Sequence, residues 1–232
     1  MKKILLSICL TAASLATFSQ SDKPVTFGIK GGVNFSRLPY SNLNSPATTS
    51  ANTLTSFNVG VFVDFKLCES LSIQPALIYT GKGGRNNINI AIADPDAPLT
   101  ISHTDTMKVY YIQVPVNVVY SVPVGSHSFY FGAGPFVGYG ISGKQKSKLI
   151  FADDQASTTS FYNEDVKFGS DEPSTVKRWD YGVGALAGFK FNNGFLLNIN
   201  YDLGLANTTP KSEDNNNKTK TRVFGVSVGY AF

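Results

Sequence analysis

Three observations predict an all-β chain folded as an eight-stranded antiparallel up-and-down transmembrane β-barrel. Apolar and polar residues alternate over eight segments, the connections between them are long and short in strict alternation, and the aromatics of the apolar face gather at segment ends. The composition agrees. The chain has 232 residues, 42% apolar and 16% charged, with 21 Gly and 17 Phe, whereas an average globular domain carries about 25% charge. Disorder is excluded, and so is a charge-driven partner. The net charge of +4 includes Lys2 and Lys3, and without them about +2 remains, too little and too scattered for a nucleic-acid footprint.

Residues 1–20 read as a cleavable signal peptide: Lys2 and Lys3, an apolar run from Ile4 to Ala16, then Thr17, Ser19 and Gln20. Residues 21–232 form the barrel domain. The run is too short to span a bilayer as a helix, and bulky Ile8 before Cys9 argues against lipidation. The mature chain then keeps one thiol, Cys68, with no partner for a disulfide.

Val25–Ser36 opens the barrel, with Val25, Phe27, Ile29, Val33 and Phe35 on one face and polar or glycine residues on the other. Phe57–Lys66 repeats the pattern, with Phe62 as a misfit on the polar face. Leu71–Lys82, Val109–Tyr120, Ser128–Ser142, Trp179–Phe191, Phe195–Ala206 and Val223–Phe232 follow. Connections 37–56, 83–108, 143–178 and 207–222 are long, and 67–70, 121–127 and 192–194 are short. Antiparallel strands send the long connections to one end and the tight turns to the other. The expected orientation places the protein in the outer membrane with the long loops extracellular and the tight turns periplasmic.

The polar face decides which side meets lipid. It is rich in glycine and small polar residues and carries few charges, which suits a crowded lumen better than a water-facing exterior. Lys30, Asp64, Lys66, Asp180, Lys190 and Asp202 are therefore expected to pair inside the barrel with Asn117, Asn198 and Asn200, filling it with side chains. Lys82 shares that face. On the apolar face, Phe57, Tyr79, Tyr110 and Trp179 near the long-loop end, and Tyr120, Phe129, Phe191 and Phe232 at the tight-turn end, are expected to mark the two bilayer interfaces.

Gly28-Ile-Lys-Gly-Gly-Val-Asn34, Gln74-Pro-Ala-Leu-Ile-Tyr79 followed by Lys82-Gly83, Tyr111-Ile-Gln-Val-Pro-Val-Asn117, Gly132-Ala-Gly-Pro135 and Gly229-Tyr-Ala-Phe232 resemble the PorT-like outer-membrane β-barrel family of Bacteroidetes. The resemblance spans nearly all of the mature chain. It implies bulges at Pro75, Pro115 and Pro135, recognition of the terminal Phe232 by the barrel insertion machinery, and, for some members, a part in protein secretion.

No catalytic, cofactor or metal constellation stands out, and the expected role is non-enzymatic: structural, surface-binding or secretion-accessory. The partners expected are outer-membrane lipid and an extracellular or secretion-system protein met through loops 83–108 and 143–178. His103 and His127 lie at opposite ends, so they cannot share a metal. Three rivals remain. A lipid-modifying enzyme would use His103 beside Ser102, a small-solute porin would conduct, and a soluble lipocalin-like carrier would turn the faces inside out. Asp94-Pro-Asp96, Asp153-Asp154 and Glu164-Asp165 lack calcium-loop spacing and read as solvated charges.

Overall fold

The computed structural model describes residues 24–38, 48–92, 99–152, 156–170, 174–209 and 219–232; the expected signal peptide and the pairs Asp94/Asp96 and Asp153/Asp154 lie outside them. The strands are β1 (Val25–Arg37), β2 (Thr48–Asn52), β3 (Leu54–Lys66), β4 (Leu71–Ile92), β5 (Leu99–Val124), β6 (His127–Ala152), β7 (Ser157–Asp165), β8 (Trp179–Lys190), β9 (Phe195–Gly204) and β10 (Arg222–Ala231). Eight of them form an antiparallel ring, β1–β3–β4–β5–β6–β8–β9–β10, while β2 lies on β4 and β7 on β6. The ring closes where β1 meets β10, from Gly28 opposite Ala231 to Arg37 opposite Arg222.

The period-two pattern sets which way each side chain points. Val59 and Val61 are each 52% exposed and Val228 is 60% exposed, while their neighbours Asn58 and Ser227 are buried at 7% and 3%. That inverts a water-soluble domain and gives a lipid-facing apolar belt around a polar interior.

Connection 121–127 is shorter than its sequence suggests. Val124 pairs with His127, which leaves Gly125 and Ser126 as a two-residue turn, and Gly125 supplies the positive φ of 62° that such turns demand. The other tight turns, 67–70 and 192–194, join the same end, the latter with Gly194 at φ 90°.

The bulges expected at Pro75, Pro115 and Pro135 do not form. At each proline the ladder loses two successive pairs and resumes in the same register; β3 and β4, for example, pair at Phe62/Ala76 and next at Phe65/Ile73. A missing N–H removes a bond without requiring an extra residue. The register shift among these strands sits instead at Tyr110/Tyr111 on β5.

The long connections depart most from expectation. Residues 83–108, read as a loop, continue β4 and β5 as a paired ladder from Gly83/Lys108 to Ile92/Leu99. Residues 143–178 begin by extending β6, on which β7 folds back from Ala152/Ser157 to Lys144/Asp165. The result is a sheet in the order β2–β4–β5–β6–β7 that rises past the rim on one side of the ring. Nine residues of β6 take part, about 30 Å along the strand at ~3.3 Å per residue.

Candidate functional site

At the long-loop end of the lumen, Lys82 Nζ lies 2.8 Å from Asp180 Oδ2, with both side chains at 1% exposure or less. Thr221 Oγ1 donates to the same oxygen at 3.1 Å, and the ammonium stands 4.3 Å from the centre of the Phe136 ring and 5.4 Å from that of Tyr111. A buried ammonium survives only with such company, because losing water costs several kcal/mol per ion. Beside it, Asn58 donates to Asn34 at 2.7 Å, Asn34 donates to Thr80 at 2.8 Å and to the Gly81 carbonyl at 3.1 Å, and Ser56 reaches that carbonyl at 2.6 Å. Val109, Tyr111, Val166 and Val176 pack into an apolar cluster with Met107 and Phe168. Together these groups seal this end.

Deeper in, Gln113 donates to Asp202 at 2.9 Å and Asn200 to the other oxygen of Asp202 at 3.4 Å; Asn198 lies between Tyr130, whose hydroxyl donates to it at 3.4 Å, and Ser227 at 3.3 Å. Asn117 is buried and lines the same stretch together with Asn34 and Asn58. Phe62, the misfit of the alternation, fills space that Gly28 leaves open: a Cβ at Gly28 would overlap its ring. Tyr130 rests on Gly188 in the same way.

The tight-turn end is different. Lys30, Asp64, Lys66 and Lys190 line an open cavity of about 410 Å³ together with Tyr130 and His127. Lys66 is exposed at its mouth. The direct pairing expected for these charges is not made. Among the described residues the single ion pair within 4.0 Å is Lys82–Asp180. Lys82 shares the lumen face but lies outside the network expected from the sequence.

Most of the aromatics expected at the interfaces lie on the outer face in two groups. Phe57, Tyr79 and Tyr110 stack on adjacent strands with centroids 5.3 to 5.8 Å apart, and Trp179 meets Tyr139 at 5.0 Å. At the other end Tyr120 pairs with Phe131, Phe129 with Phe189, and Phe232 with Tyr230; Phe191 is partly covered by His127 and Phe189. The alternation also contained Phe35–Phe224, centroids 6.4 Å apart across the closing seam.

His103 and Ser102 are consecutive strand residues and face opposite sides of the projecting sheet. Ser102 donates to Asn89 at 2.7 Å, whereas His103 looks into a pocket with Gln145, Ser147, Tyr162 and Glu164. A nucleophile and base within hydrogen-bond reach cannot be made from these two. Among the described residues no group of three or more His, Cys, Asp or Glu is placed to hold a metal.

Residues 18–210 match the protein family described as "Outer membrane protein beta-barrel domain". Solved structures similar to the chain include Ail, the attachment invasion locus protein of Yersinia pestis (15% identity over 90% of this chain and 100% of that one, TM-score 0.40). Neisserial surface protein A (13%, 90% and 100%, TM-score 0.41) and OprG from Pseudomonas aeruginosa (15%, 90% and 97%, TM-score 0.42) are similar to it as well. No curated protein matches.

Proposed function

The chain belongs to the outer membrane protein β-barrel domain family, and from that premise we propose that it is a non-enzymatic, non-conducting barrel that holds a rigid β-sheet outside the cell as a binding surface for a protein partner. The observation that carries this reading is the seal. Lys82, Asp180 and the cluster above them close the lumen at the end from which the sheet rises. A closed lumen leaves the outside of the molecule to do the work, and strands continuous with the barrel fix the sheet better than loops would. In this reading residues 1–20 are an export signal, the long-loop end is extracellular, and the terminal Phe232 serves insertion. The motifs from Gly28 to Phe232 resemble those of the PorT-like barrels, and that resemblance supports a secretion-linked partner over a purely structural duty.

Two measurements test it. In planar bilayers the protein gives no large single-channel steps, and large steps would restore the porin reading. The exposed Cys68 sits in turn 67–70, so a membrane-impermeant maleimide leaves it unlabelled on intact cells, while C68S/S160C, with its thiol on β7, is labelled. Labelling of Cys68 alone would reverse the orientation.

A further inference from the structure

We propose that the outer surface of the long-loop rim is a collar that binds phosphate-bearing headgroups of the surrounding lipid leaflet. On β1, β10 and β5 an outward cation follows an outward aromatic by two residues: Arg37 after Phe35, Arg222 beyond Phe224, Lys108 beyond Tyr110. Two residues are about 6–7 Å along a strand, the step from the aromatic belt to the headgroup layer. Lys108 stands 5.4 Å from the centre of the Tyr110 ring, and Arg37 is steadied by a bond from Nε to Thr53 at 2.7 Å.

The register supplies a second, independent argument. Arg37 is directly opposite Arg222, and Lys108 is directly opposite Lys144. Like charges at directly facing positions destabilise a sheet, and the pattern occurs on two separate strand pairs of one rim. An anion shared between the two cations of each pair reverses the sign, and guanidinium groups grip phosphate through paired N–H donors. Lys146 extends the face upward, and Asp165, opposite Lys144, is the carboxylate it carries among the described residues.

The collar is also one-sided. At the tight-turn end the described outward positions past the aromatics include Val25, Leu67, Val122 and Val124, and none is Lys or Arg, while Lys66 and Lys190 belong to the lumen cavity. A barrel with cations at one interface alone is matched to a leaflet whose anionic charge is on that side. Contact with the lipid belt below argues for a headgroup over a soluble anion.

The test uses the full chain, refolded into phosphatidylcholine nanodiscs that hold a minor fraction of lipid A or of its dephosphorylated form, with retained lipid counted by native mass spectrometry. Wild type retains lipid A about tenfold better than the dephosphorylated lipid. R37Q/R222Q loses most of that preference, whereas K66Q/K190Q in the lumen keeps it, and millimolar inorganic phosphate does not displace the lipid. Equal retention of both lipids, an unchanged R37Q/R222Q, a matching loss in the lumen control, or ready displacement by free phosphate would each overturn the proposal. A second readout guards against misfolding. R222Q removes a like-charge pair, so its unfolding midpoint rises in zwitterionic micelles and falls in lipid A bilayers; a shift of the same sign in both would sink the idea.

Discussion

At the long-loop end of the lumen, Lys82 is held by Asp180, Thr221 and two aromatic rings, whereas at the tight-turn end Lys30, Lys66, Lys190 and Asp64 share an open cavity of about 410 Å³ and make no direct ion pair. The inward faces of the ring strands supply both, and β8 contributes to each, with Asp180 at one end and Lys190 at the other. The difference is access to water. Under the Val109–Phe168 cluster a charge must be neutralised by protein groups, and at the open mouth solvent serves the exposed Lys66 at little cost to the fold. Charge count therefore says less about a barrel interior than depth does.

The sharpest way to break the comparison is to orphan the sealed cation. Asp180→Asn leaves Lys82 buried without its counter-charge and should cost about 3–5 kcal/mol, read as a lower midpoint of urea unfolding followed by unboiled SDS electrophoresis. K82M/D180L should be less damaging than either single change. If Asp180→Asn were as mild as a surface substitution, the seal would be hydrated and the contrast would vanish. Next comes packing: a Cβ at Gly188 overlaps Tyr130, so Gly188→Ala should cost about 1–3 kcal/mol. Gly31, which faces outward with its nearest neighbour atom 3.6 Å from an added Cβ, should accept alanine with little change in the same assay. The smallest effects belong to the open end. Lys66→Gln should move the midpoint by no more than about 0.5 kcal/mol, and a larger loss would reveal a hidden partner in the cavity.

The alternation read from the sequence was enough to place the ring strands and the direction of their faces, because lipid outside and a crowded lumen inside both act on every second residue. Above the rim that two-sided contrast ends. Lys144, Gln145, Lys146, Ser147 and Lys148 are polar on both faces, so a paired strand there looks like a loop, whereas Asn87, Ile88, Asn89 and Ile90 still alternate and carry a strand signal within the stretch read as a loop. Phe62 read as a misfit for a related reason: its place depends on Gly28, which lies on the neighbouring strand. Lys82 and Asp180 are 98 residues apart, and pattern along one strand says nothing about what faces it across the lumen. The prolines mislead in the other direction: the resemblance implies bulges there, but a lost donor needs no extra residue.

The seam between β1 and β10 joins the two ring strands most distant along the chain. Until the later one arrives, the growing sheet keeps two raw hydrogen-bonding margins, each an open template for a stranger's strand. No local order of assembly hides them, so the incomplete sheet stays open to pairing until the seam forms. Once the circle shuts, every ring strand has neighbours on both sides, and weakening the ladder between Gly28 and Arg37 would loosen the whole hoop at once.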